Sequence, residues 1–499
     1  MENTTAPSGA ITISQKEYQS FLRQESEIAL LKHQLSELKR MIFGSRSERF
    51  VAPPQEQLSL DLGLEAAEGN KKEEARTITY GKKISQKKKG HARLPIPAHI
   101  PRVDIHIEPS EDITGARKIG EAVTEILEYR PGTLYVNRYI RPKYILERGE
   151  EAPTIVMGEL PSLPVPKGNA GASLLSHIIV GKYVDHLPFH RQSKMFKRQG
   201  VHLPESTIND WFSASCKLLE PLYGLSRDKV QKCGYLMADE TGIPVQTKHR
   251  AGSTHDGYFW VYYDPLGKVP YLEYHPSRKK EVPQSFLSSF QGTLQTDGYP
   301  GYNGLGKKQG IRMLACMAHA RRKFREAMDN NKELAGCALE AFQVLYRIER
   351  VAKGRGLSHE RRHRLRQRLA VPVLGAMERA MRENLGRVSP KSPIGKALIY
   401  NLNLWPRLSA YVEDGKYEID NNPIENTIRP IAIGRKNYMF AGSHKGARRA
   451  AMAYTFFATC KMHGVEPFAW LTDVLGRIQD TKVSQLENLL PQNWEPGNK

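Results

Sequence analysis

Cysteine is scarce in this chain. Five occur in 499 residues, at Cys216, Cys233, Cys316, Cys337 and Cys460, and no two form a Cys-x-x-Cys pair. The odd count and scattered spacing argue against a disulfide framework and against a cysteine-built structural zinc site; they fit a reducing, cytoplasmic compartment. Long apolar runs are missing too. No stretch of about 18 uncharged apolar residues occurs, so no membrane span is expected. Met1 to Ala10 has no apolar segment behind basic residues and does not read as a secretion signal. No internal repeat of roughly 20–50 residues is visible, which argues against a solenoid. Acidic residues are in deficit: Asp plus Glu is 53 against 74 Lys plus Arg, a net charge of +21. Such an excess points to a polyanionic partner, nucleic acid first, because binding phosphates releases counterions. A basic but otherwise ordinary enzyme, or a ribosome-associated protein, is the blander alternative.

What is present has a clear order. In residues 15–43, Phe21, Ile28, Leu35 and Ile42 recur every seven residues with Leu31 and Leu38 between them. This pattern predicts a self-associating coiled-coil helix or, alternatively, an amphipathic helix packed on its own protein. Residues 51–93 read as a linker that ends in Lys82-Lys83 and Lys87-Lys88-Lys89, a run that touches DNA backbone or is simply solvated. Alternating runs such as Val103 to Ile107 and Tyr135 to Ile140 predict a small β-rich module, closed by Pro161, Pro164 and Pro166. Residues 170–225 read as helices, either a helix-turn-helix around Gln199-Gly200 or a plain helical hairpin.

Strand signals then begin. Tyr235 to Ala238 runs into Asp239, followed by strands at Tyr258–Tyr263 and Val269–Tyr274, a helical stretch at about 280–290, a strand from Gly292 to Thr296 that ends at Asp297, a strand from Ile311 to Ala315, and a helix from about 318. Hairpin-linked strands followed by a helix-linked one imply a mixed sheet flanked by helices. Residues 330–412 show a helical period, broken near Pro372, and 420–480 returns to helices.

Two carboxylates stand at predicted strand ends beside turn-forming residues: Asp239 before Thr241-Gly242, and Asp297 before Gly298-Tyr299-Pro300-Gly301. Glu425 lies early in a helix that Asn421 or Asn422 would cap, with Pro423 in the first turn. Converging carboxylates repel unless a cation intervenes. Oxygen ligands select Mg²⁺ or Mn²⁺, and two such ions serve in-line phosphoryl displacement. Spacing alone makes this a weak signal among so many acidic residues. Asp256 and Asp264 are rivals, although Asp264-Pro265 reads as a structural turn. His319 either assists the scissile phosphate or is structural. Trp211, Trp260, Trp405 and Trp470 read as core. Arg321, Arg322 and Lys323, together with Arg429, Arg435, Lys436, Lys445, Arg448 and Arg449 near Glu425, are the candidate DNA contacts; Gly442 to Gly446 reads as a loop that backs them.

Four motifs, taken in order, resemble the insertion-sequence-66 family of bacterial transposases. They are Ala238-Asp239-Glu240-Thr241, Thr296-Asp297-Gly298-Tyr299-Pro300-Gly301-Tyr302, Cys316-Met317-Ala318-His319-Ala320-Arg321-Arg322-Lys323-Phe324 and Asp420-Asn421-Asn422-Pro423-Ile424-Glu425-Asn426-Thr427-Ile428-Arg429-Pro430. Phe43-Gly44-Ser45-Arg46-Ser47-Glu48 after the heptads fits as well. The resemblance implies an RNase H-like mixed sheet with flanking helices and an all-helical insertion. It also implies a DDE transposase whose catalytic and metal-binding residues are Asp239, Asp297 and Glu425, with two Mg²⁺ or Mn²⁺ ions as cofactors. Expected partners are double-stranded DNA (transposon ends and target), a second copy of the chain, and helper proteins of the same element, in the cytoplasm at the nucleoid. Other readings are a different RNase H-like nuclease or a catalytically silent DNA-binding protein.

The expected divisions are a coiled-coil helix at 15–45, a basic linker at 46–93, a β-rich, degenerate zinc-finger-like module at 94–165, and a helical DNA-binding region at 166–228. The catalytic core follows at 229–329, a helical insertion at 330–415, the rest of the core at 416–480, and a tail at 481–499. Members of the family carry a cysteine-based zinc module between heptads and core, but the matching stretches, around Pro109 to Gly120 and Arg141 to Gly149, hold no cysteine. The purified chain is therefore expected to lack stoichiometric zinc; atomic absorption on protein purified without chelator checks this, and one equivalent of zinc contradicts it.

Overall fold

The computed structural model describes residues 96–496, apart from 99, 131, 147–153, 167 and 247–252. The proposed coiled coil at 15–45 and the linker at 46–93 lie outside the described residues.

The first sheet is built from β1 (Arg102–His106), β2 (Arg117–Arg130), β3 (Thr133–Leu146) and β4 (Thr154–Met157). β2 and β3 form a long antiparallel hairpin, β1 joins β3 in parallel, and β4 pairs with the far end of β3. Alternation puts Leu134 and Val136 on one face of β3, and Leu127, opposite Val136 on β2, joins them in the core. Three helices follow: α1 (Ala172–Tyr183), α2 (Phe189–Arg198) and α3 (Glu205–Gln231). α1 lies against β2, where the ring of His177 stacks on Tyr129 at 4.0 Å between centroids.

The second sheet positions the carboxylates. Its strands are β5 (Tyr235–Gln246), β6 (Thr254–Asp264), β7 (Val269–His275), β8 (Gly292–Thr296) and β9 (Ile311–Ala315), in the order β7-β6-β5-β8-β9. β5, β6 and β7 pair antiparallel, while β8 and β9 continue from β5 in parallel. The mixed sheet is the one the strand signals imply, and β8 and β9 have the bounds expected from the sequence. Gly292 lets β8 start close against β5: its φ is +134°, and a Cβ there would sit 2.4 Å from the Gly234 carbonyl oxygen.

Strand period two sorts β5 between two cores. Tyr235, Met237, Ile243 and Val245 face the larger core; Leu236 and Ala238 face a smaller one with Trp260, Tyr262 and Phe286. The short helix α4 (Glu281–Phe286) covers the smaller core and is shorter than the 280–290 stretch expected. On the opposite face lie α9 (Asn422–Tyr438) and α10 (His444–His463), and α3 packs on α10. All four candidate core tryptophans, Trp211, Trp260, Trp405 and Trp470, are buried.

Three expectations fail locally. Thr241-Gly242 is not a turn, because β5 runs on to Gln246: pairing with β8 stops at Met237, but pairing with β6 continues, so tertiary hydrogen bonds override local turn propensity. Pro372 does not break its helix. It sits exposed in the middle of α7 (His359–Leu385), where water can solvate the carbonyl that loses its N–H partner. His444-Lys445-Gly446 is no loop but the first turn of α10, capped by the Ser443 hydroxyl, which accepts from the Gly446 amide at 3.0 Å.

After α5 (Met317–Glu326), helices α6 (Lys332–Gly354), α7 and α8 (Pro393–Ser409) form the helical insertion. Arg366 ties it to the segment leading into α9. Its guanidinium is fully buried and donates to both oxygens of Glu349, at 2.8 and 2.9 Å, and to the carbonyls of Tyr411, Asp414 and Tyr417 at 2.7–2.8 Å. Arg362 bridges Glu349 to Glu418, at 3.0 Å to each Glu418 oxygen. Burial alone would raise the Glu349 carboxyl, but Arg366 and Arg362 hold it below the usual carboxylate range. Arg366→Met leaves three carbonyls unpaired and Glu349 with Arg362 alone; the expected loss is about 3–5 kcal/mol, read from urea unfolding.

Candidate active site

The register of β5 on β8 decides where the aspartates meet. Tyr235 pairs with Thr293, Leu236 with Leu294 and Met237 with Gln295. That offset, carried past the last paired residues, points Asp239 toward Asp297 just beyond the end of β8, and Asp297 is near enough to act on the Asp239 carboxyl. Asp239 shares the face of Met237 and Ile243, the face that α9 covers.

Local structure fixes each backbone. Just past β8 the chain turns at Gly298 (φ +90°), the Tyr299 amide donates to Asp297 Oδ1 at 2.8 Å, and the Tyr400 hydroxyl on α8 donates to the Asp297 carbonyl at 2.9 Å. A side chain at 298 would collide with Leu404, at 2.9 Å. Glu425 lies in the first turn of α9, whose N-cap is Asn421; the Asn421 side chain caps nothing, and the Asp420 carboxylate accepts from the Asn422 amide at 3.0 Å. The start of α9 is stitched to the start of α5: the Met317 amide donates to the Ile419 carbonyl at 3.2 Å and the Asn421 amide to Cys316 Sγ at 3.2 Å.

Electrostatics ties these groups together. Burial, then Asp297, Glu240 and Glu425, push the Asp239 carboxyl up to about 8. His319, on α5, is lowered by burial and by Arg322 while Asp297 and Glu425 pull the other way, and its Nδ1 is buried without a partner. The carboxylates are neighbours, yet among the described residues no three His, Cys, Asp or Glu side chains stand close enough to cage an ion. Like charges explain this: Asp239 Oδ1 is turned onto the Glu240 amide at 2.7 Å and Asp297 Oδ1 onto that of Tyr299. The donor set is carboxylate oxygen throughout, which suits a hard divalent cation.

The sequence reading missed the group on the other face of the sheet. Glu240 is buried there, accepts from the Tyr302 hydroxyl at 3.1 Å and holds Arg278 through Nε at 2.9 Å. The Arg278 guanidinium lies 4.1 Å from the Tyr299 ring centroid. Glu240 was visible beside Asp239 and strand alternation assigns its face; nothing in the sequence points to Arg278.

The candidate DNA contacts divide. Arg429, Lys436, Lys445 and Arg448 are exposed. Arg435 donates to the Gly242 carbonyl, Arg449 to the Ser213 hydroxyl, and Lys323 pairs with Glu326 at 3.3 Å. Arg322 acts on His319 and Tyr400, and Arg321 on Tyr346. Of the rival carboxylates, Asp264 is structural: it accepts the Leu266 and Gly267 amides at 3.0 Å each.

The sequence profile of the Transposase IS66 family matches residues 167–449, which takes in Asp239, Asp297 and Glu425. The chain belongs to that family. The family's IS66 C-terminal element matches residues 455–492, and a profile described as Transposase C of IS166 homeodomain matches residues 30–105. Two relatives from Sinorhizobium fredii, the uncharacterized proteins y4jD and y4hP, are 32% and 33% identical, covering 93% and 94% of this chain and 94% and 89% of their own lengths. No helix among the described residues of this transposase-family member is long and apolar enough to cross a membrane.

The raised Asp239 carboxyl has a consequence for stability. The folded chain holds a proton that the unfolded chain releases near pH 4, so stability is expected to fall as pH rises from about 4 to about 8. Melting temperatures across that range in a chelating buffer check the sign, and Asp239→Asn should flatten this part of the slope.

Proposed function

We propose that this chain is a DDE transposase with an RNase H-like core, and that Asp239, Asp297 and Glu425 are its catalytic and metal-binding residues. The observation that carries the reading is the parallel β5–β8 register, which brings Asp239 beside Asp297 in a chain of the IS66 family, with Glu425 close enough to bear on Asp239. The five-stranded mixed sheet with helices on both faces supports an RNase H-like core.

The substrate is double-stranded DNA, first the terminal inverted repeats of the element and then the target. Mg²⁺ or Mn²⁺, two ions held by the three carboxylates, would supply an activated nucleophile and charge stabilisation at the leaving oxygen. The chain's own groups do the rest. Asp239 and Asp297 each keep one oxygen tied to a backbone amide, which limits rotation and leaves the other oxygen to turn inward. The Tyr400 hydroxyl and the Gly298 turn hold the Asp297 backbone. His319 stays neutral at physiological pH and adds no cation beside the carboxylates. Exposed Arg429, Lys436, Lys445 and Arg448 contact phosphates, positioning the duplex without reading its sequence. Phosphodiester hydrolysis frees a 3′-hydroxyl, which then attacks target DNA; no protein–DNA covalent bond is needed. Residues 15–45 pair two copies of the chain at the DNA ends, helper proteins of the element assist, and the reaction takes place in the cytoplasm at the nucleoid.

Asp239→Asn, Asp297→Asn and Glu425→Gln should each cut Mg²⁺-dependent cleavage of a terminal-repeat duplex by about a hundredfold or more. Duplex affinity, followed by fluorescence anisotropy, should survive in all three. Undiminished cleavage in any one removes that residue from the site, and undiminished cleavage in all three sinks the reading.

A further inference from the structure

A cavity of about 340 Å³ opens on the face of β5 that carries Asp239. Ile243 lines it, four residues along the strand and on the same side, so it lies about 13 Å from Asp239 at ~3.3 Å per residue. That is about four nucleotides along one strand of a duplex, at ~3.4 Å each.

Its lining is cationic without internal compensation. Lys182 reaches in from α1, 3.8 Å from the Phe189 ring centroid; burial, followed by Arg449, pushes its ammonium down to about 8. Glu205 favours its charge, but the two form no ion pair among the described residues. Arg449 lines the cavity too; one of its nitrogens reaches Ser213, while its Nε is buried with no partner. The first turn of α10 ends at the same place. The positive end of a helix dipole favours acids, yet α10 carries no acidic residue and begins with His444, Lys445, Arg448 and Arg449 within its first two turns. Helix end, lysine and arginine therefore present the same sign to one space, and an anion from outside the chain would relieve all three.

Aromatic rings make up much of the remaining lining. Tyr438 and Phe440 border the cavity, and Phe440 is 37% exposed although the residue before it, Met439, already holds a strained φ of +58° to deliver it. Inorganic phosphate has no use for such rings, whereas a nucleobase does: base–aromatic stacking contributes roughly 1–3 kcal/mol per base.

We propose that this cavity receives one unstacked nucleotide of the strand that crosses the carboxylates, its phosphate between Lys182, Arg449 and the first turn of α10 and its base against Tyr438 and Phe440. The inference rests on the transposase reading for the identity of the DNA, but not on which carboxylates cut it.

The test uses the full chain and two fluorescent probes, a short oligothymidylate and a duplex of the same length, with affinity read by anisotropy at fixed salt. Phe440→Ala and Lys182→Met should each weaken oligothymidylate binding about tenfold and change duplex binding by less than about twofold. Both side chains border open space, and unchanged circular dichroism confirms folding. Equal losses on the two probes, no loss on either, or failure of the unsubstituted chain to bind oligothymidylate overturns the proposal. Cleavage that persists in Asp239→Asn, with the single-strand preference intact, would sink the catalytic assignment and leave the cavity standing.

Discussion

The parallel hydrogen bonding between β5 and β8 is the constraint on which the site depends. A parallel ladder cannot slip by one residue without turning every side chain of a strand to the wrong core. Here both faces of β5 are buried, with Tyr235 and Met237 on one side and Leu236 and Ala238 on the other, so the penalty applies twice over. Gly292 lets the ladder begin, because no other residue fits against Gly234. Two aspartates distant in sequence are thus brought side by side by apolar packing far more than by anything they do for themselves. Burial, and then the repulsion of Asp297, raises Asp239, and each aspartate keeps one oxygen on a backbone amide.

Glu425 reaches the site by a different route. It stands on a helix that packs on the sheet; the segment leading into that helix is tied to the insertion through Arg366 and Arg362, and to the start of α5 through Ile419 and Asn421. Arg366 uses its planar fork fully, which a lysine could not do. The insertion then acts as a jig: α6 and α7 hold the segment before α9 at a fixed height, while α8 holds the Asp297 turn through Tyr400. One helical layer thereby sets the backbone around two of the three carboxylates.

Much of this was legible in the sequence, for identifiable reasons. β8 and β9 are short proline-free runs bounded by glycine or turn residues, a pattern that marks strands even though β8 has only Leu294 as a large apolar residue. Strand ends made the aspartates plausible and a helix start the glutamate, but it was the resemblance of the four ordered motifs that singled them out. The failures share a cause. Thr241-Gly242 looked like a turn, Pro372 like a break and His444-Lys445-Gly446 like a loop, because each was judged on residue type while its surroundings in the fold decided the outcome: pairing with β6 for the first, solvent on an exposed helix face for the second, the Ser443 cap and the core under α10 for the third. Arg278 and Arg366 were invisible for the same reason. Their meaning lies in Glu240 and Glu349, and no periodicity links an arginine to a carboxylate across a tertiary contact.

The placement of the insertion also orders events in time. The chain emerges from the ribosome from its N-terminus, so the sheet with both aspartates can form once Ala315 is out. Glu425 and the Arg366 anchor that supports it come later, and at about 5–20 residues per second that delay is several seconds or more. For that interval the nascent protein has both aspartates but not the glutamate. On the function proposed above, a newly made copy would gain its third carboxylate only after the whole insertion has been synthesised.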